Sequence, residues 1–458
     1  MRVRLIQPAQ LDEAGRPIKY QKLFLPFLTL ATLAGLTPAG VDLGVTDEFV
    51  ENIDFDENVD LVGITAQTCQ APRAYQIADE FRRRGRKTIG GGIHVSMCTE
   101  EALAHFDAVL VGEAEDVWAG ILEDARAGRL QRVYNPASRP DLSRLVIPRF
   151  DLFDFKRYVK PPFARTPLIP IQTTRGCPNR CDFCSVVGFL GNAIRKKPVA
   201  NVVKEIEHVR PSRIFFTDDN IIADAEHARA LFQALAPLRL RWACQMSTQV
   251  SRHPELIDMA AAAGCHETFV GVESLDPSTL AAMHKGFNKT DQYAEFFRRL
   301  KSVGILAQAS VIFGFDGDTH DSLRRAIDTI MTWDVNYLYL HLLVPLPGTP
   351  YYEKVCGEGR LETRDWSLYD ACHVVVRPTT VAPADLCEAM WEGYRRFYSK
   401  RAIVRRAWRF RREYVRFFPR DFAPEEIFFQ AHMHRSVRRR RHPFSLGQAL
   451  NREPAVES

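Results

Sequence analysis

The stretch Gly176-Cys177-Pro178-Asn179-Arg180-Cys181-Asp182-Phe183-Cys184 places three thiols at C-x3-C-x2-C spacing, straight after an apolar run from Pro167 to Thr173. A chain with three soft ligands in eight residues must fold around whatever they hold. Thiolates bind iron–sulfur clusters, and three so close together can reach three corners of one [4Fe–4S] cube, leaving one iron open. Zinc is the rival reading, since three thiolates and a fourth ligand also make a structural site. Such a site usually has a second paired ligand set downstream, and none follows at suitable spacing. The plainest reading, three buried free cysteines, has chance against it, because three of the chain's ten cysteines stand together.

An open iron can take an outside ligand, and S-adenosylmethionine (SAM) can chelate it through its amino and carboxylate groups. With the aromatic Phe183 before the last cysteine, the motif resembles that of the radical SAM superfamily, whose chemistry is delegated to a cofactor.

The remainder of the chain fits a large, ordinary globular protein. Its 458 residues are 46% hydrophobic and 26% charged, enough for two or three domains. The opening Met1-Arg2-Val3-Arg4-Leu5-Ile6-Gln7-Pro8 reads as a short strand, too brief for a signal-peptide core. No apolar run approaches the roughly 20 residues of a membrane span. Ten cysteines in this length are no disulfide framework, and an oxygen-sensitive cluster argues for a reducing compartment, so a cytoplasmic location is expected.

Residues 1–134 alternate short β-rich runs (Val3–Ile6, Val41–Val45, Leu61–Thr65, Thr88–Gly90, Ala108–Val111) with helix-length segments, notably Ala71–Arg84 and Ala114–Ala127. That rhythm predicts an α/β fold, a Rossmann-like (flavodoxin-like) doubly wound sheet whose ligands sit beyond the carboxyl ends of the strands. The loops expected there are Gln7-Pro8, Thr46-Asp47, Thr65-Ala66-Gln67-Thr68, Gly90-Gly91-Gly92-Ile93-His94 and Gly112-Glu113. Consecutive glycines allow a ligand close to the backbone. Gly-Gly-Ile-His-Val followed by Val-Gly-Glu-Ala-Glu is similar to the cobalamin-binding domain that precedes the barrel in the B12-binding radical SAM subfamily. The resemblance implies that Thr65, Gly90, Gly91, Gly92, His94, Gly112 and Glu113 face cobalamin. The D-x-H-x-x-G motif that gives cobalt a histidine in many cobalamin domains is absent from this half; Asp318-Thr319-His320 matches it only in part and lies elsewhere. A Rossmann-like module without a ligand is the alternative.

Residues 135–165 are broken by Pro136, Pro140, Pro148, Pro161 and Pro162, and carry Phe150, Leu152, Phe153, Phe155 and Tyr158. They are expected to form a strap packed over the next domain. From Thr166, six β-rich runs alternate with amphipathic helices up to about residue 350, which matches the partial (β/α)6 TIM barrel that the family implies. The runs are Leu168–Thr173, Arg213–Thr217, Arg241–Met246, Glu267–Val272, Leu306–Phe313 and Tyr337–Val344. By the same resemblance the SAM contacts fall at the strand ends: Asp218 and Asp219 for the amino group, Glu273 and Ser274 for the ribose, Gly314 and Asp316 in a glycine-rich turn by the adenine, and His341 beside the adenosyl group. Cys69, Cys98, Cys244, Cys265, Cys356, Cys372 and Cys387 share no ligand spacing and read as structural.

Residues 351–458 read as mainly helical. Lys400 to Arg420 holds nine basic residues against Glu413 alone, interleaved with Trp408, Phe410, Tyr414, Phe417 and Phe418; Arg438 to Arg441 is a second basic run. Such a helix either docks by its apolar face with its arginines solvated, or meets an anionic membrane surface or nucleic acid. A membrane contact ranks ahead of nucleic acid, for which no binding module is present.

The resemblance thus implies an enzyme that reductively cleaves SAM at a [4Fe–4S] cluster to a 5′-deoxyadenosyl radical. Cobalamin would then carry a methyl group to an unactivated carbon of a small or lipid-like metabolite, and flavodoxin or ferredoxin would supply electrons. Cyclisation, rearrangement or oxidation without methyl transfer is the alternative within the class, and an RNA-binding or RNA-modifying protein the alternative outside it.

Overall fold

A computed structural model describes residues 1–19, 25–159, 167–417 and 422–440. Pro161, Pro162 and Thr166 of the strap and barrel start, and Phe418, Arg420 and Arg441 of the basic runs, lie outside the described residues.

Six strands form the first sheet: β1 (Arg2–Gln7), β2 (Asp42–Asp47), β3 (Leu61–Thr65), β4 (Lys87–Gly91), β5 (Ala108–Leu110) and β6 (Val133–Tyr134). All pair in parallel, in the order β2-β1-β3-β4-β5-β6. A parallel sheet is covered on both faces, so its central strands read as unbroken apolar runs; Leu61, Val62, Gly63 and Ile64 are all buried. The order reverses between β1 and β3, which is where such sheets open a crevice for a ligand.

The second sheet joins β7 (Ile169–Ile171), β10 (Arg213–Phe216), β11 (Arg241–Gln245), β12 (Cys265–Glu273), β13 (Leu306–Phe313) and β14 (Tyr337–Leu342), again all parallel and in chain order. These are the six βα units of a partial barrel. Between β7 and β10, the short antiparallel pair β8 (Thr174–Arg175) and β9 (Arg195–Lys196) pins the base of the cysteine loop. Trp242 stacks on Phe232 and meets Phe216 edge-on, fixing the helix Ala225–Leu235 against the sheet.

A sheet that stops at six strands leaves an open edge. Along β14 the helix Pro383–Phe397 supplies Tyr394, whose hydroxyl donates to Leu340 O (3.0 Å) and accepts from Leu340 N (2.8 Å). Tyr398 does the same at Leu338. Two phenols thus satisfy the backbone that a seventh strand would have paired. Within the strap Phe150, Phe153 and Tyr158 are buried, and the Tyr158 hydroxyl reaches back to donate to Asp47 at 2.8 Å. Burial pushes that carboxyl up to about 7.

Candidate functional site

The cysteine loop, which includes Phe183, leaves β8 and returns through β9. Cys181 is buried and Cys177 and Cys184 half-buried. Burial raises all three thiols, to about 11 at Cys181 and about 12 at Cys184, and each sulfur feels the charge of its neighbours. Thiols in this state keep their protons until a metal displaces them. Phe183 packs edge-on against Phe315.

Lys285 reaches the same loop. Its ammonium bonds the Glu273 carboxylate and lies 5.8 Å from the centre of the Phe183 ring. Burial works against that charge, but the Glu273 carboxylate outweighs it and holds the amine above its ordinary pKa. Nothing in the local sequence marks this lysine, because its partner lies twelve residues away, beyond the helix Pro277–Ala282. Glu273 adopts φ 63°, a left-handed conformation that costs a non-glycine residue energy and turns the carboxylate back over Gly271.

Asp218 and Asp219, adjacent in sequence, have opposite environments. Asp218 is fully buried and accepts from the backbone N–H and the hydroxyl of both Thr173 and Thr174, at 2.5–3.2 Å. That consumes the carboxylate expected to meet SAM; it holds β7 and β8 in place instead. Asp218→Ala should therefore cost about 3 kcal/mol or more of stability, since four buried donors lose their acceptor. Chemical denaturation of the apoprotein would check this. Asp219 has a buried, unpartnered Oδ2 and lines the cavity described next. Burial, then the charge of Asp218, raises it to about 7. An orphaned carboxylate oxygen beside the cysteine loop fits an amino-group ligand.

The cavity, of about 470 Å³, lies between the carboxyl edges of the two sheets. The first sheet contributes Gln7, Thr65, Gly91, Gly92, Gly112 and Glu113; the second contributes Gln172, Arg175, Thr217 and Asp219. The helix Leu28–Leu36 closes one side with its leucines. This helix is invisible to periodicity, because Leu-Thr-Leu-Ala-Thr-Leu-Ala-Gly-Leu is nearly apolar all round. Space for a bulky ligand is visible at the glycines: a Cβ at Gly91 or Gly112 would meet nothing within 4 Å. Gly92, at φ 92°, is held tight against Thr65 and Ala66, and Gly90, which also lines the cavity, has no room for a side chain beside the Phe106 ring.

Several residues expected at the site have other partners in the structure. His94 turns away from the cavity: its Nε2 is 3.0 Å from the Tyr75 hydroxyl and 3.6 Å from Glu101, which accepts from Trp366 Nε1 at 2.9 Å. The helical turn that begins at Ile93 carries the ring inward. Asp316 is occupied by Lys354 (2.7 Å) and Arg360 (3.0 Å), and Gly314 packs against Leu386 and Leu343, so the turn after β13 faces the C-terminal region. The Ser274 hydroxyl accepts from Asp276 N. His341 stays on β14 beside Tyr339, with its pKa lowered by desolvation. Glu113 lines the cavity, but its oxygens are taken by Arg175 (2.5 Å) and Arg195 (2.6 Å), and Arg175 also pairs with Glu115 at 2.5 Å. This cluster, missed in the sequence, binds the first sheet to the base of the cysteine loop.

Comparison with known proteins agrees with this arrangement. Residues 171–330 match the family model described as Radical SAM superfamily, and residues 32–122 match that of the B12 binding domain. The chain is 31% identical over 390 residues to the bacteriochlorophyllide d C-12(1)-methyltransferase of Chlorobaculum tepidum, covering 83% of this chain and 84% of the relative. It is 27% identical to the hopanoid C-2 methylase of Rhodopseudomonas palustris, over 84% of this chain and 73% of that one. Among solved structures, the radical SAM methyltransferase TsrM from Kitasatospora setae, with cobalamin and a [4Fe–4S] cluster bound, superposes with a TM-score of 0.63 at 20% identity, over 78% of this chain and 75% of that one.

Proposed function

The chain belongs to the radical SAM superfamily, in the group that carries a B12 binding domain before the barrel, and from that premise we propose that it methylates an unactivated carbon of a small or lipid-like metabolite. The observation that carries this reading is a cavity lined by both sheets, with Gly91, Gly92 and Gly112 on one wall and Asp219 on the other. A [4Fe–4S] cluster held by the cysteine loop, with SAM and cobalamin towards this cavity, would supply hydrogen abstraction from carbon and a methyl group to replace it.

The chain's own residues would work as follows. Cys177, Cys181 and Cys184 hold the cluster and leave its fourth iron to SAM. Asp219 accepts from the amino group of SAM through its free oxygen, and Glu273, steered by Lys285, offers an acceptor to a hydroxyl. Thr65, Gly91, Gly92 and Gly112 give cobalamin a smooth floor, and the leucines of Leu28–Leu36 keep water from the space between. We assign residues 1–134 to the cobalamin domain, 135–165 to the strap, 166–350 to the barrel and 351–458 to the helical region. A cytoplasmic location and a flavodoxin or ferredoxin as electron donor complete the proposal.

Protein purified anaerobically and reconstituted with iron, sulfide and hydroxocobalamin should retain all three, and release 5′-deoxyadenosine from SAM on reduction. If it takes up no cobalt yet turns over its substrate, the reading moves to cyclisation, rearrangement or oxidation. Glu273→Ala should weaken SAM binding by about 1–3 kcal/mol with iron content unchanged. Unaltered affinity in calorimetry would leave Glu273 as the partner of Lys285 and nothing more.

A further inference from the structure

The helix Lys400–Phe417 has two faces of different character. The inner one is docked: Phe410 is buried against Leu306, Arg409 donates to the carbonyls of Thr332 and Trp333, and Arg406 stacks on Phe397 at 3.9 Å. Glu413, the helix's single acid, sits on this side. The outer face carries Val404, Trp408, Arg411 and Val415, at the i, i+4, i+7, i+11 spacing that makes one stripe. Val404 is 69% exposed, Trp408 68% and Val415 87%. The Arg411 guanidinium lies 3.9 Å from the Trp408 ring.

Along one flank of the stripe run Arg401, Arg405, Arg412 and Arg416, all exposed. Among the described residues no carboxylate pairs with any of the four, whereas Arg73, Arg175, Arg195 and Arg360 elsewhere in the chain are all paired. An exposed tryptophan between valines, bordered by four arginines without counter-charge, is poorly suited to bulk water. It suits a headgroup layer, where the indole sits at the interface, the valines enter the acyl boundary and each guanidinium meets a phosphate. On the neighbouring helix Phe422–Arg438, Ile427 and Phe428 are 54% and 40% exposed.

We propose that this face docks on an anionic lipid surface. The proposal goes beyond the catalytic reading and stands without it, since none of these residues lines the cavity. The helix packs at the amino-terminal ends of β13 and β14, through Leu306 and Asn336, so the bound surface lies at the opposite end of the barrel from the cysteine loop.

The test is flotation of the full-length protein with vesicles of phosphatidylcholine alone and of phosphatidylcholine mixed with phosphatidylglycerol. Binding is expected only to the anionic vesicles, weakening as salt rises. Arg405→Glu with Arg412→Glu should reduce it at least tenfold, and Trp408→Ser by a smaller factor, while circular dichroism and SAM cleavage remain those of the wild type. Equal binding to both vesicles, binding to neither, or undiminished binding by the double variant would overturn the proposal. So would capture of single-stranded RNA in preference to the anionic vesicles, or a dimer in solution that buries Trp408.

Discussion

Alanine at Cys177, Cys181 or Cys184 is expected to abolish iron binding and reductive SAM cleavage together. The three sulfurs share one loop, and no other thiol stands within that loop to take a vacated position. Two thiolates cannot hold a cube that needs three protein corners, so the loss should be complete and not graded. The hairpin of β8 and β9 holds the base of the loop without help from the sulfurs, so the variants should still fold. Iron and sulfide analysis of anaerobically reconstituted protein reads the first effect, and 5′-deoxyadenosine formation the second. One single variant with full cluster content and full cleavage would disprove the assignment.

Gly91→Val should remove cobalamin binding and spare the cluster. A Cβ there meets nothing within 4 Å, and the residue ends β4 without a left-handed backbone, so valine costs the fold little. The added methyls instead occupy the floor of the cavity, where a corrin ring would need to lie close to the backbone. Cobalt uptake should fall at least tenfold with iron unchanged. SAM cleavage should persist, because the barrel alone carries it, and methyl transfer should stop. Gly92→Val is the wrong experiment, since at φ 92° it strains the chain whatever is bound. Wild-type cobalt content in Gly91→Val would remove this floor from the proposal.

Much of this was legible before any coordinates. Strand runs such as Leu61–Thr65 and Leu306–Phe313 were bounded correctly, because a parallel strand buried on both faces is a short apolar block between breaks. The helix expected from Ala114 starts only at Trp118, since Glu115 and Asp116 belong to the loop beside Arg175. What escaped the sequence is what depends on partners far along the chain. Asp218 and Asp219 look interchangeable as letters, yet four donors from Thr173 and Thr174 claim the first and leave the second free. His94 stands in a glycine loop that lines the cavity, but one helical turn carries its ring to Tyr75. Lys285 carries no motif at all.

The charges of Glu113, Glu115, Arg175 and Arg195 bear on how such a protein can be taken apart. Arg175 is two residues from Cys177, so the contact that fastens the first domain also sets how far its floor stands from the iron site. Domain shuffling between relatives would therefore be limited by this joint more than by either active surface. A graft of residues 1–134 alone would leave two half-buried guanidiniums without their acids, whereas one that carries all four charges as a unit brings the spacing with it.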